Sequence, residues 1–311
     1  MIKNKKNNIK DIAKFNLEIT EETAGIPVKK LVKTTWGLSS RLMTKLKKNN
    51  LIFVNGRPVK GWKECVPGDL VSVLLPEERS GFEPADIPIY PAYEDDDILI
   101  INKQPGVTVH PTKGHPDNTI ANGLMKYMDD TGQSFKIRFV NRLDRDTSGL
   151  LIIGKNSHAQ DGIIKQMQDG TIEKRYIAIA SGRIDEDMVI DLPIGRPFDG
   201  CVRRAVVKGE NGYPSLTRCK VLENFNDQYT LVELKLETGR THQIRVHMAH
   251  IGHPLAGDEL YEGPCNRFSG RQALHSYMLK LKHPVTGEML HIQSPLPDDM
   301  QRFVDQLRKE K

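Results

Sequence analysis

Residues 138–156 read RFVNRLDRDTSGLLIIGKN, and the reading of this stretch decides how the rest of the chain is organised. Two short apolar, β-forming runs, RFV and GLLIIG, flank a polar turn of Asp, Thr, Ser and Gly, the pattern of two strands joined by a loop. The loop carries Asp144, flanked by Arg142 and Arg145, to the mouth of a strand apolar enough to be buried. The spacing Asp144, Asp146, Ser148, Gly149 also matches the first half of a calcium-binding loop of the helix-loop-helix kind. Such a loop needs a bidentate glutamate at its twelfth position and helices on both sides. Here that position is Lys155 and the flanks are strand-like, so calcium is rejected.

Outward from this stretch, further β-branched segments predict strands at ILIINK (98–103), KRYIAIASGRI (174–184), SLTRCKVLENF (215–225) and YTLVELKLE (229–237). Helices are expected at 117–128 (capped by Asp117 or Asn118), 157–168 (capped by Ser157), 241–252 (capped by Thr241 and stopped at Gly252) and 298–310. Several strands follow one another with no helix between them. That order predicts an α+β fold with a mixed, largely antiparallel sheet rather than a doubly wound one.

The 311 residues are enough for two domains with real cores. No apolar run approaches the roughly 18 residues a membrane span needs, and the charged N-terminus lacks a signal peptide's apolar segment, so the expected location is cytoplasmic, with no membrane partner. The four cysteines contain no C-x-x-C pair and read as reduced thiols. Charge is uneven. Residues 1–60 hold 14 Lys+Arg against 4 Asp+Glu, or +10, which leaves −5 on residues 61–311 out of a net +5. A basic module meeting a polyanion, attached to a body with another task, has this asymmetry.

We therefore expect a basic tail over 1–26, a small basic domain over 27–76, a Pro- and acid-rich linker over 77–90 and a second domain over 91–311. In the small domain a helix capped by Ser39 precedes two β-runs around Asn55-Gly56, a hairpin signal because both residues tolerate positive φ. The unit resembles the α/β RNA-binding domain named after small-subunit ribosomal protein four. The resemblance implies that Lys33, Arg41, Lys45 and Lys48 line a phosphate-contacting face.

RFVNRLDRDTSGLLIIGKN resembles the catalytic motif of the RluA-type pseudouridine synthases, H/N-R-L-D-x-x-T-S-G-L. ILIINKQPGVTVHP (98–111), EKRYIAIASG (173–182), LETGRTHQIRVHMAHIGHPLAGDELYEG (236–263) and ALHSYMLKLKHPVTGE (273–288) resemble the family's other motifs, in family order. The resemblance implies the pseudouridine synthase fold for the second domain, with Asp144 as catalytic aspartate, acting on the uracil ring, on ribose C1′ or as a base. It implies that Arg245 pairs with that aspartate, that Tyr176 stacks on the target base and that Arg142 fills the space left by a flipped-out nucleotide. Asn141 stands where many members have histidine. The reaction breaks and remakes a base–sugar bond with no redox change and no group lost, so a carboxylate suffices and no metal or organic cofactor is expected. Extruding the base costs a few kcal/mol, which an aromatic shelf and a filling arginine offset.

Other residues have plainer readings. Asp146 is assigned to the turn. Arg240, ahead of a helix start, suits a phosphate contact or an ion pair with Glu237. His247, His250 and His253 recur every third residue with His242 upstream, but lack the carboxylates of hydrolytic zinc motifs, so no metal is expected. The expected partner is RNA, large-subunit ribosomal in preference to transfer RNA. The alternative of another class is a non-catalytic RNA-binding factor in ribosome assembly.

Overall fold

The computed structural model describes residues 8–60, 62–112, 116–268 and 270–310. Ser148–Gly154, the strand after the Asp144 turn, lies inside a ten-stranded sheet. Its main path runs Met188–Asp191, Leu216–Phe225, Tyr229–Leu236, Glu173–Ser181, Leu274–Lys282, Ser148–Gly154, Ile98–Lys103 and Pro91–Glu94. The strand pairs are antiparallel except for Leu274–Lys282 with Ser148–Gly154, which run parallel over His275 opposite Ser148 and Ser276 opposite Gly149. The class is thus α+β with a mixed, largely antiparallel sheet. At the parallel crossing Gly149 takes φ +107°, and a Cβ there would stand 2.2 Å from the Ser276 carbonyl oxygen, so the crossing requires glycine.

Alternation along the central strands sorts the two layers. Leu99, Ile101, Leu151 and Ile153 share one face with Leu124 and Met128 of Ile120–Thr131 and Ile244 and Met248 of Gln243–His250. Ile98, Ile100, Leu150 and Ile152 pack on the other face with Ala159 and Ile163 of Ser157–Gln168. Covered on both sides, these strands read as continuous apolar runs.

The N-terminal residues build a four-stranded antiparallel sheet in the order Phe15–Glu18, Leu70–Val73, Ile52–Val54, Arg57–Pro58, with helices Val28–Thr35 and Ser40–Lys48. Ser39 caps the second helix, its Oγ accepting from the Leu42 N–H, and Asn55 and Gly56 take φ 49° and 76°, as the hairpin turn requires. The stretch expected to be a tail departs from that reading within its described part, residues 8–26; residues 1–7 lie outside the described residues. Phe15–Glu18 is a strand, and Phe15 and Ile19 are buried in the small core. The period-two pattern Phe15, Leu17, Ile19 carried this signal beneath the lysine charge.

Three helix starts also differ from expectation. Thr119, not Asp117 or Asn118, opens Ile120–Thr131 in a capping box with Asn122, and Asn156, not Ser157, caps Ser157–Gln168. Thr241 is displaced as cap by His242, which enters Gln243–His250 in a left-handed conformation, φ 59°. The cause is Gln243. Its Oε1 accepts from the Arg240 N–H and Thr238 Oγ1, and its Nε2 donates to the Leu216 carbonyl, which pins the turn one residue further on.

Candidate active site

The loop bearing Asp144 is held from below by side chains distant in sequence. Lys103, fully buried, donates to the carbonyls of Gln104, Val107 and Arg145 at 2.8–2.9 Å. Burial drags its pKa down to about 7, against the attraction of Asp146 and Asp144. Arg271 donates to the Asp146 carbonyl while its guanidinium is clamped by Asp299, Gln272 Nε2 donates to Thr147 Oγ1, and Ser148 Oγ meets His275 Nδ1 at 2.9 Å. Asp146 itself pairs with Arg145, in keeping with a part in the turn.

So held, Asp144 keeps 17% of its side chain exposed and its Oδ2 accepts from Arg245 Nη1 at 3.1 Å. Arg245 turns its other edge to Asp258, whose wholly buried carboxylate accepts from Nε and Nη2, both at 2.7 Å. Burial opposes the guanidinium charge, but the bonds and charges of Asp258 and Asp144 outweigh it and raise the Arg245 pKa. One cation between two carboxylates leaves the trio a net negative charge, and only Asp144 presents it to solvent.

His242 flanks the same carboxylate, with Nε2 3.8 Å from Asp144 Oδ2. The Tyr261 hydroxyl accepts the Arg204 N–H at 2.9 Å and lies 3.0 Å from His242 Nδ1; with the ring proton on Nε2, the tautomer that suits the facing Asp144 carboxylate, the hydroxyl donates to Nδ1. Burial lowers the His242 pKa, favouring this neutral form. The Tyr261 ring in turn meets the guanidinium groups of Arg245 and Arg203, 5.0 and 5.1 Å from its centroid.

A cavity of about 1070 Å³ opens over this network, lined by Asp144, Arg245, Tyr176, Arg142 and Arg240. The structure therefore brings together all five residues singled out in the second domain. Tyr176 is nearly buried on the strand Glu173–Ser181, and burial pushes its hydroxyl up to about 12, so the phenol stays protonated. Arg142 is exposed at the rim. Arg240 stacks on Tyr213 and donates to the Pro214 carbonyl, while Glu237 pairs with Arg218 and Lys235 instead. The four basic residues of the N-terminal unit lie elsewhere. Lys33, Arg41 and Lys48 are exposed, but Lys45 departs from expectation, half-buried in an ion pair with Glu78 of the linker stretch.

The histidines of 242–253 point to different partners. His247 bonds Thr217 and the Leu192 carbonyl, and His253 bonds the Ser181 carbonyl. Among the described residues Asp95, Asp97 and His283 do converge as a potential metal cluster. His283 Nδ1, however, accepts the Val285 and Thr286 N–H groups, so its proton sits on Nε2, 2.9 Å from Asp95, and no lone pair faces the cluster. The donor set does not suit a metal.

Comparison with known proteins assigns the class. The chain belongs to the RNA pseudouridine synthases, isomerases that act on RNA, and residues 97–250 match the family described as RNA pseudouridylate synthase. It is 44% identical over 271 residues to an uncharacterised RNA pseudouridine synthase of Bacillus subtilis, YlyB, covering 84% of this chain and 87% of that protein. It is 39% identical to the ribosomal large subunit pseudouridine synthase D of Haemophilus ducreyi, covering 84% of each. Among solved structures it is similar to human RNA pseudouridylate synthase domain containing 1, at 27% identity and a TM-score of 0.56, over 74% of this chain and 97% of that one.

Asp258, Lys103, Arg271 and the Tyr261–His242 pair were not assigned to the site from sequence. The available signal was slight: Asp258 and Tyr261 lie in GHPLAGDELYEG and Lys103 ends the ILIINK run, but their partners are set only by folding.

Proposed function

We propose that this chain converts uridine to pseudouridine in large-subunit ribosomal RNA, with Asp144 as the reacting carboxylate and the target uridine swung out of the RNA into the cavity above it. The observation that carries this reading is the partly exposed Asp144 carboxylate, held 3.1 Å from Arg245 on the wall of a cavity that also contains Tyr176. In the reaction the N1–C1′ bond breaks, the C5–C1′ bond forms, the C5 proton leaves and N1 gains one, so the composition of the RNA is unchanged. Addition to C1′, addition to the ring and proton abstraction all require a carboxylate whose position is fixed before the base arrives, and Arg245 supplies that.

Tyr176 offers an aromatic surface to the uracil, worth roughly 1–3 kcal/mol per stacked base. Arg142, exposed at the rim, takes the place vacated by the uridine. The N-terminal unit holds the RNA backbone through Lys33, Arg41 and Lys48, which supplies affinity more than sequence choice. The choice of ribosomal RNA follows the large-subunit pseudouridine synthase D relatives, of which the Haemophilus ducreyi protein is one.

The test is a map of pseudouridines in total RNA from a deletion strain complemented with the wild type or with Asp144→Asn. Restoration of large-subunit sites by the wild type alone is expected. Pseudouridine formed at the wild-type rate by Asp144→Asn removes the proposed chemistry. Rescue of ribosome assembly by that variant without modification makes the chain a binding factor instead. Reversing the charges of Lys33, Arg41 and Lys48 should weaken RNA binding and flatten its salt dependence by about three phosphate contacts.

A further inference from the structure

We infer that the segment 193–213 forms a second subsite beside the catalytic cavity, one that takes an unpaired nucleotide adjoining the target uridine in the same RNA strand. This deepens the proposed function and rests on it.

The segment is built into the catalytic framework. Ile194–Gly195 pairs with Ala205–Val206, and Ile194 is buried against Val246 and Tyr261. Val246 lies on the helix that carries Arg245, and Tyr261 stacks on the Arg245 guanidinium. The arms of the segment meet backbone to backbone: a Cβ on Gly195 would stand 2.2 Å from the Asn211 carbonyl oxygen, and one on Gly212 1.9 Å from that of Val207. Such close contact fixes the shape of the segment before any ligand arrives, which lowers the ordering cost of binding.

Against this frame lies a cavity of about 580 Å³, lined in part by Arg196, Phe198, Arg204 and Tyr213. Arg240 and Thr241 line both this cavity and the one over Asp144, so the two are contiguous. A ligand that fills one is directed towards the other.

Its chemistry suits one nucleotide. Phe198 and Tyr213 are 69% and 59% exposed, large aromatic faces left to water. Arg240 already stacks on the Tyr213 ring, its guanidinium carbon 5.6 Å from the centroid. Residues 193–213 hold four Lys+Arg against two Asp+Glu; Arg203 pairs with Glu262, whereas among the described residues Arg196 makes no ion pair. Arg204 Nη1 is spent on the carbonyls of Cys201 and Val202, which orients its guanidinium without neutralising it. Asp199 also lines the cavity, but Arg196, Arg204 and Arg240 outnumber it and none of the three forms an ion pair among the described residues; open aromatic faces beside such guanidinium groups suit a splayed base and its phosphate, the usual mode of single-strand RNA recognition.

The test uses the full-length enzyme and a stem-loop excised around the uridine that the wild type modifies, with 2-aminopurine placed on either side of it. Tyr213→Ala should raise KM about tenfold, with the loss on KM rather than kcat, and should relieve the quenching that stacking imposes on 2-aminopurine at one of the two positions. Tyr213→Phe should restore both. Arg196→Ala should lower the slope of log Kd against log salt by about one. An unchanged KM together with an unchanged 2-aminopurine signal in Tyr213→Ala overturns the subsite. Failure of the proposed chemistry reads out separately, as pseudouridine formed by Asp144→Asn, while affinity and fluorescence still decide the subsite.

Discussion

Asp144 and Arg245 stand 101 positions apart in sequence and 3.1 Å apart in space, yet the two ends of this pair are unequal. Arg245 is buried and also bound by two bonds to the sealed carboxylate of Asp258, whereas Asp144 reaches the cavity. Removing the guanidinium strands a buried anion; removing the exposed carboxylate does not. Arg245→Ala should therefore cost about 3–5 kcal/mol of stability, and Asp144→Asn less than about 1 kcal/mol while abolishing turnover. Urea denaturation of the two variants checks the contrast. Equal losses would mean that Asp258 does not anchor the arginine.

Gly149 should be irreplaceable. Its φ of +107° disfavours any side chain, and its missing Cβ is the space in which the Ser276 backbone passes. Gly149→Ala must push apart the one parallel contact between Ser148–Gly154 and Leu274–Lys282, at a cost above roughly 3 kcal/mol. The expected result is loss of soluble expression or a large fall in the urea midpoint. Gly81→Ala, with nothing within 4 Å of its Cβ and no positive φ, should be close to neutral and serves as the control.

Lys103 gives a prediction with a pH signature. Its three carbonyl bonds include one to Arg145, next to Asp144, so Lys103→Met should let the loop bearing Asp144 shift and lower kcat by on the order of 100-fold. Burial puts its folded pKa at about 7, below the ordinary 10.5. The unfolded chain then binds the proton more tightly, so this group's contribution to stability grows as pH rises from 7 towards 10.5 and is lost as pH falls back through that window. The slope is at most about 1.4 kcal/mol per pH unit. Stability curves of wild type and Lys103→Met should diverge across this interval, and parallel curves would show that the lysine does not titrate there.

Much of this was legible in the sequence, and the division has a physical basis. Short-range rules carried the Asn55-Gly56 turn, the Ser39 cap and the apolar strands on either side of the Asp144 turn, because each depends on residues within a few positions of one another. The ordered motifs carried Asp144, Tyr176 and Arg245. What stayed hidden was pairing at long range: Asp258 behind Arg245, Lys103 beneath Arg145, Arg271 on Asp146, and Glu78 drawing Lys45 out of the basic face. A sequence shows that a lysine ends an apolar strand, but not which carbonyls will surround it. The strand Phe15–Glu18 was obscured differently, since the lysines around it outweighed a three-residue apolar alternation.

His242 offers the most discriminating substitution, because its backbone and side chain can be tested apart. The left-handed φ of 59° costs a β-branched residue far more than asparagine, which enters that region readily. His242→Val should therefore lose stability by roughly 1–3 kcal/mol, whereas His242→Asn should fold normally. If the imidazole only fills the turn, His242→Asn is also fully active. If the Nε2–H beside Asp144 helps to hold that carboxylate in place, kcat falls about tenfold in His242→Asn with KM little changed, and Tyr261→Phe, which removes the hydroxyl that bonds Nδ1, shows a milder loss of the same kind. The geometry favours the second outcome, since His242 is held at Nδ1 by the Tyr261 hydroxyl and turns Nε2 towards the carboxylate, 3.8 Å away. Single-turnover rates for the three variants, read beside their urea midpoints, decide between the two.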